Sequence, residues 1–197
     1  MALRSAGKSL SSLTGIVVAV AVLWLLLNFV YAPSCGRFGC SYVPSWWPQA
    51  HAGTVDACPA NTGAAANDRN WAADRYATIK DKDPTVGLFY DEDGTEHTIT
   101  SGGEALSGRI DALLRASGRV DMPPVGQHPA ATHVEVKAAM MMRESALTAG
   151  VVVINNEEGP CPGIYSCTRV LPVVLAPGST LTVWWPDMQK QTFTGGG

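Results

Sequence analysis

The C-terminal part of this chain has no basic run and no arginine-rich stripe. Residues 85–197 hold 7 Lys+Arg against 12 Asp+Glu, a net −5, whereas residues 1–84 hold 7 against 5, a net +2. Proteins that grip long stretches of nucleic acid do so through phosphates, and their surfaces show such a stripe. Extended nucleic-acid binding is therefore excluded. Any recognition of nucleic acid has to be local, through a pocket for one base and its neighbours. Histidine and cysteine are also sparse, with 4 and 5 copies in 197 residues, so the places where they gather carry weight. Apolar side chains are not scarce. A hydrophobic content of 46% excludes global disorder and suffices for one ordinary domain with a core.

Charge is missing altogether from Leu13 to Ala32, and Ile16 to Leu27 has no polar side chain. Roughly twenty apolar residues cross a bilayer as a helix. This run reaches that length by counting Thr14, Gly15 and Asn28. Arg4 and Lys8 precede it and only Arg37 follows soon after, which predicts an inside N-terminus and a remainder outside the cytoplasm. A signal peptide opens in the same way, and Ala32-Pro33-Ser34 offers small residues for cleavage. Residues 1–32 thus read as a basic start plus a transmembrane or signal segment. A buried core helix fits badly, because the run shows no polar face at helical period.

Residues 33–84 are rich in Pro, Ala, Gly and Asn and keep no periodic pattern, apart from a short helix expected over Trp71–Ile79. They read as a linker. Trp46-Trp47 within it suits packing on a domain or a membrane interface. Cys35, Cys40 and Cys58 lie here as well. Cys35–Cys40 closing a small loop and three unbonded thiols are both open readings.

Order is expected from about Thr85. Val86–Tyr90 and Glu96–Thr100 flank Asp91-Glu92-Asp93-Gly94, which predicts a hairpin. Ile110, Leu113 and Leu114 predict a helix over Gly108–Gly118, and Val136, Ala139, Met140 and Arg143 another over Thr132–Leu147. Val151–Ile154 reads as a strand buried on both faces. A helix over Cys167–Leu175 and a closing strand over Thr180–Trp185 complete an α/β order, β-β-α-α-β-α-β, that fits a mixed sheet covered by helices. Residues 85–197 form the candidate catalytic domain.

The chemistry gathers in His133-Val134-Glu135, Pro160-Cys161 and Cys167. An imidazole and two thiolates are zinc ligands, and three protein ligands leave a fourth position for water, the mark of a catalytic zinc. Zinc lowers the pKa of that water, and a carboxylate nearby can carry its proton. The pattern H-x-E followed by P-C-x-x-C is the signature of zinc-dependent nucleobase deaminases. Here the second cysteine follows after five intervening residues. Bland readings compete. Thr132 and Glu135 match a helix capping box, which would leave Glu135 a mere cap. A disulfide between Cys161 and Cys167, or two buried free thiols, is the competing reading of that pair. Against these stands the expected order of a buried strand, a loop carrying Cys161 and a helix that starts near Cys167, which favours thiolates. Asn155 and Asn156, just after the buried strand, are candidates for contacting sugar or base, or else turn formers. His128 beside Pro129 reads as a solvated loop residue or a pocket residue. Trp184 and Trp185 alternate in a strand, so that one packs in the core and one can stack a base.

Residues 85–197 resemble the bacterial toxin deaminases related to the double-stranded-DNA cytosine deaminase toxin DddA. The matching pieces are Thr85-Val86-Gly87 with its hairpin, Ser101-Gly102-Gly103, His133-Val134-Glu135 followed by Met142-Arg143, Asn155-Asn156-x-x-Gly159-x-Cys161, Leu175-x-Pro177, Leu181-Thr182-Val183 and Thr192-Phe193-Thr194-Gly195. The resemblance implies a cytidine-deaminase-like three-layer fold, a Zn2+ ion and deamination of cytosine in DNA. His133, Cys161 and Cys167 would be the ligands and Glu135 the proton shuttle. The gap between the cysteines is longer than the two residues of DddA and enlarges a loop at the mouth of the site.

The leading expectation is a secreted or membrane-anchored antibacterial effector that acts on DNA in the target-cell cytoplasm, with an immunity protein as a further partner. The acidic balance leans toward single-stranded DNA. The alternatives are an RNA or free-nucleoside deaminase, and a non-catalytic membrane-tethered module with a structural zinc or a disulfide.

Overall fold

The structure, a computed structural model, describes residues 61–196, which lie within one compact unit, Cys58–Gly197. The apolar run 13–32, the Trp46-Trp47 pair, Cys35, Cys40 and Cys58 lie outside the described residues. Among the described residues no helix is long and apolar enough to cross a membrane.

The first described elements are a single helical turn, α1 (Thr62–Ala65), and a longer helix, α2 (Arg69–Ile79). Asn61 and Asp68 cap them, with Asp68 Oδ1 accepting the N–H groups of Asn70 and Trp71 at 2.9 and 3.0 Å. The hairpin follows as β1 (Val86–Asp91) and β2 (Glu96–Thr100). Asp91 holds its turn by accepting the N–H groups of Asp93 and Thr95 through Oδ1 at 3.0 and 2.9 Å. Helix α3 (Ala105–Ser117) begins three residues before the apolar spacing indicates, because Ser107 Oγ takes the Glu104 N–H at 2.8 Å. It ends where Gly118 turns left-handed, φ 60°. A 3₁₀ turn (Pro129–Thr132) leads into α4 (Val134–Glu144). Strand β3 (Ala149–Ile154), helix α5 (Cys167–Val174), β4 (Thr180–Trp185) and β5 (Gln189–Thr194) complete the chain.

The five strands make one mixed sheet in the order β2-β1-β3-β4-β5. Only β3 and β4 run parallel, joined through α5; the other pairs are antiparallel. Both faces are covered. Phe89, Val152, Ile154, Leu181, Val183 and Phe193 join α3, α4 and α5 in the main core. Their strand neighbours Leu88, Tyr90, Val151, Val153 and Trp184 are also buried. They face the other way, because successive strand residues alternate. That second face is closed by α2, where Trp71 meets Tyr90 edge to face at 5.5 Å and Ile79 is wholly buried.

Residues 61–82, whose composition suggested linker, form a layer of the domain. Their apolar content is thin, but Trp71, Ala72 and Ile79 all fall on the buried side of α2. Strand β5 escapes a pattern search because only Phe193 in it is buried; the rest is a polar edge facing solvent.

Candidate metal centre and active site

Two helix starts build the site. At the first, Thr132 does not cap α4. Its Oγ1 donates back to Pro129 O at 3.0 Å inside the 3₁₀ turn. The residue before the helix is His133, in extended conformation (φ −83°, ψ 146°) and making no side-chain cap bond. The imidazole is thus held outside the helix, while Glu135 is the second residue within it. This answers how residues two apart can converge: the helix has not yet begun at the first of them. The capping-box reading of Thr132 and Glu135 is thereby corrected. Gly87 lets this helix start sit on the sheet, since a Cβ there would collide with Val134.

At the second helix start, Cys167 is the first residue of α5, and Ser166 Oγ caps the helix by accepting the Arg169 N–H at 3.3 Å. Cys161 is placed by the turn that follows β3. Gly159 N–H donates to Asn156 O at 3.1 Å, and Asn156 Nδ2 to Gly159 O at 2.5 Å. Gly159 (φ +68°) lies flat under Trp185, where no side chain fits. The Cys167 N–H then donates to Cys161 Sγ at 3.0 Å.

The result is one cluster. His133, Cys161 and Cys167 bring their ligand atoms within 4.8 Å of one another. His133 Nδ1 lies 3.1 Å from Cys167 Sγ, and the two sulfurs, which are free thiols, are 2.7 Å apart. The cysteines share a proton as a pair. The hydrogen bond from Cys167, helped by the His133 ring, pushes Cys161 down to about 4, while Cys167 is raised by that same bond and by burial. Hydrogen bonding to Cys161 also raises His133. An imidazole and a thiolate–thiol pair at a helix start suit a cation that displaces the shared proton. The donor set fits zinc.

Glu135 stands beside the cluster, Oε1 4.0 Å from His133 Nδ1. It is 3% exposed, and burial pushes its carboxyl up. A cavity of about 330 Å³ opens in front of it, bordered by Thr85, Ser101, Thr132, His133, Glu135 and Asn156. Thr132 and Gly102 are tied across its wall by the Gly102 N–H donating to Thr132 O at 2.9 Å.

The two asparagines differ. Asn155 accepts the Val86 N–H at 2.7 Å and donates to Ile79 O and Lys82 O at 2.9 and 2.8 Å, tying the end of α2 to β1. Asn156 forms the turn and borders the cavity. His128 is fully buried rather than solvated. Its Nδ1 accepts the Ala130 N–H at 3.2 Å, and its ring meets the edge of Tyr165 at 5.6 Å, under the loop between the cysteines. Trp184 is buried on the α2 side of the sheet, and Trp185 covers Gly159.

Sequence spacing does not reveal Lys137 and Arg143. Lys137 is 1% exposed and donates from Nζ to Thr100 O and pairs with Glu104, both at 2.6 Å, which fixes the loop that forms the cavity wall. Arg143 donates to the carbonyls of Val174, Val173 and Leu175 at 2.6, 3.2 and 3.0 Å. The helix that carries His133 and Glu135 thus holds the far end of the helix that carries Cys167. The Met142-Arg143 pair noted above was the one signal for it.

A mixed α/β sheet with a His/Cys/Cys cluster beside a buried carboxyl defines a hydrolase-type site able to hold a metal. The chain belongs to the SCP1.201-like deaminase family, whose model matches residues 56–197. That match takes in α1 and α2. The comparison with curated proteins finds no match.

Proposed function

We propose that this domain converts cytosine to uracil in DNA by zinc-dependent hydrolysis, on a cytidine-deaminase-like three-layer fold. The observation that carries the reading is Glu135: a buried carboxyl with a raised pKa, between the three-donor cluster and a cavity. His133, Cys161 and Cys167 would hold the ion. Bound there, zinc supplies a Lewis acid that brings the pKa of a water toward neutrality.

Glu135 takes a proton from the attacking water and delivers it to ring N3 as the oxygen adds to C4. The C4–N bond then breaks. Glu135 passes the second proton of the water to the departing amino group, and ammonia leaves uracil in the strand. A carboxyl whose pKa is raised toward the working pH suits both halves of this exchange. Asn156, at the cavity border, holds the base or its sugar. The cavity admits one base, so the target has to be unpaired or turned out of the helix. The net −5 of residues 85–197 favours a single-stranded substrate. The apolar run at 13–32 and the toxin resemblance support delivery as a membrane-anchored or secreted effector, with an immunity protein as partner.

The test offers the zinc-loaded chain cytosine-bearing single- and double-stranded DNA, RNA and free cytidine side by side. Uracil in DNA at the highest rate is expected. Faster conversion of RNA or cytidine would replace the DNA assignment while keeping the chemistry.

A further inference from the structure

A second concavity, of about 490 Å³, lies between the turn after α3 and the first turn of α5. Arg119, Asp121, Thr168, Arg169 and Pro172 line it. Thr168 directly follows Cys167, so this groove begins beside the metal cluster, bordered by residues that the cavity before Glu135 does not use.

Its two arginines differ from the other cations of residues 85–197. Arg109 is fixed by both oxygens of Glu144, at 2.6 and 3.0 Å. Arg115 holds Asp111 and Gly126 O at 2.8 and 2.5 Å. Arg143 holds three carbonyls, and Lys137 is buried. Lys190 sits on the edge strand β5, bonded to Ala66 O and Asn67 at 2.7 and 2.9 Å. That leaves Arg119 and Arg169, both exposed and both in the groove. Among the described residues, the Arg119 side chain donates to Gly196 O at 3.1 Å. Among the described residues, the Arg169 side chain pairs with Asp121 at 3.3 Å, with the two side chains 61% and 58% exposed. An exposed single-point pair of this kind is weak and exchanges readily. Guanidinium groups prefer the forked contact that a phosphate offers.

Resting on the proposed substrate, we propose that this groove binds the phosphodiester next to the target base. Arg119 and Arg169 fork onto its oxygens, the Thr168 hydroxyl adds a donor, and Asp121 is displaced from Arg169. Asp121 thereby acts as a built-in competitor for the strand. A chain with no basic stripe would so gain a local phosphate grip on the helix that carries Cys167.

The experiment measures binding of fluorescent single-stranded oligonucleotides, with and without a cytosine, to the full chain carrying Glu135→Ala so that the DNA is left unchanged. Arg119→Ala and Arg169→Ala should each weaken binding several-fold, equally for both oligonucleotides, and lower the slope of log K against log salt by about 0.7. Asp121→Asn should tighten binding. Thermal melting and zinc content serve as fold controls, and Arg169→Lys, which keeps charge but not the fork, should recover only part of the affinity. Unchanged affinity and slope in the double arginine variant would overturn the proposal, as would weaker binding by Asp121→Asn. Displacement of the oligonucleotide by inorganic phosphate at matched ionic strength would mark a free-phosphate site instead, and retention of an acidic protein but not DNA would mark a protein interface; either also overturns it. The two readings fail separately. If DNA is not the substrate, no uracil forms in it whatever the arginines do. If only the groove assignment is wrong, the double arginine variant with Glu135 intact still makes uracil at the unsubstituted rate.

Discussion

The two faces of the sheet do different work. One, under α3, α4 and α5, holds the main core and brings the His133, Cys161, Cys167 and Glu135 side chains to one place. The other, under α2, is closed by Trp71, Ala72 and Ile79 and carries none of those four residues. The comparison teaches that all four site residues sit with the main core on one face, while the other face adds burial without any of them. Damage to each face should therefore be distinguishable.

The largest effect belongs to the catalytic face. Cys161→Ala removes one of three donors, so zinc measured by elemental analysis should fall to near zero. Uracil formation should drop by more than the ~10²–10⁴-fold that general acid–base help alone supplies. The melting temperature of the metal-free protein should move little. A variant that kept its zinc would break the distinction.

The covering face should respond in the opposite sense. Trp71→Ala opens a hole against Tyr90 and should cost about 3–5 kcal/mol in denaturant unfolding. Per folded molecule, zinc content and rate should persist. If Trp71→Ala left stability untouched, residues 61–82 would be a linker after all.

That segment also shows what the sequence conceals. His133, Glu135, Cys161 and Cys167 are legible because each is a rare residue in a spacing that chemistry requires. Strands β1 and β3 are legible because apolar runs bounded by turn residues have few other uses. Helix α2 is legible as a short helix over Trp71–Ile79 but not as a layer of the domain, because only one side of it touches the sheet and its remaining positions are polar or alanine. Thr132 misleads because a capping box and a 3₁₀ turn use the same residues; the choice depends on Pro129 and on His128 Nδ1 accepting the Ala130 N–H. The role of Arg143 is nearly silent, marked by the Met142-Arg143 pair alone, because its partners are backbone carbonyls, which leave no mark in side-chain patterns.

Gly87 links the faces, since it lies in the shared sheet and receives the start of α4. Gly87→Ala should destabilise by about 1–3 kcal/mol through overpacking and loosen zinc together, measurable by unfolding and by chelator competition. The smallest effect is expected at Thr132. Thr132→Ala should change stability by less than about 0.5 kcal/mol, against about 1 kcal/mol for loss of a true capping threonine.

The most direct measurement is made on Glu135→Ala, with zinc and uracil determined on the same sample. The account predicts that zinc stays bound, because this carboxyl is no ligand, and that uracil formation vanishes. Zinc lost with the carboxyl, or uracil still formed without it, would contradict the role given to Glu135.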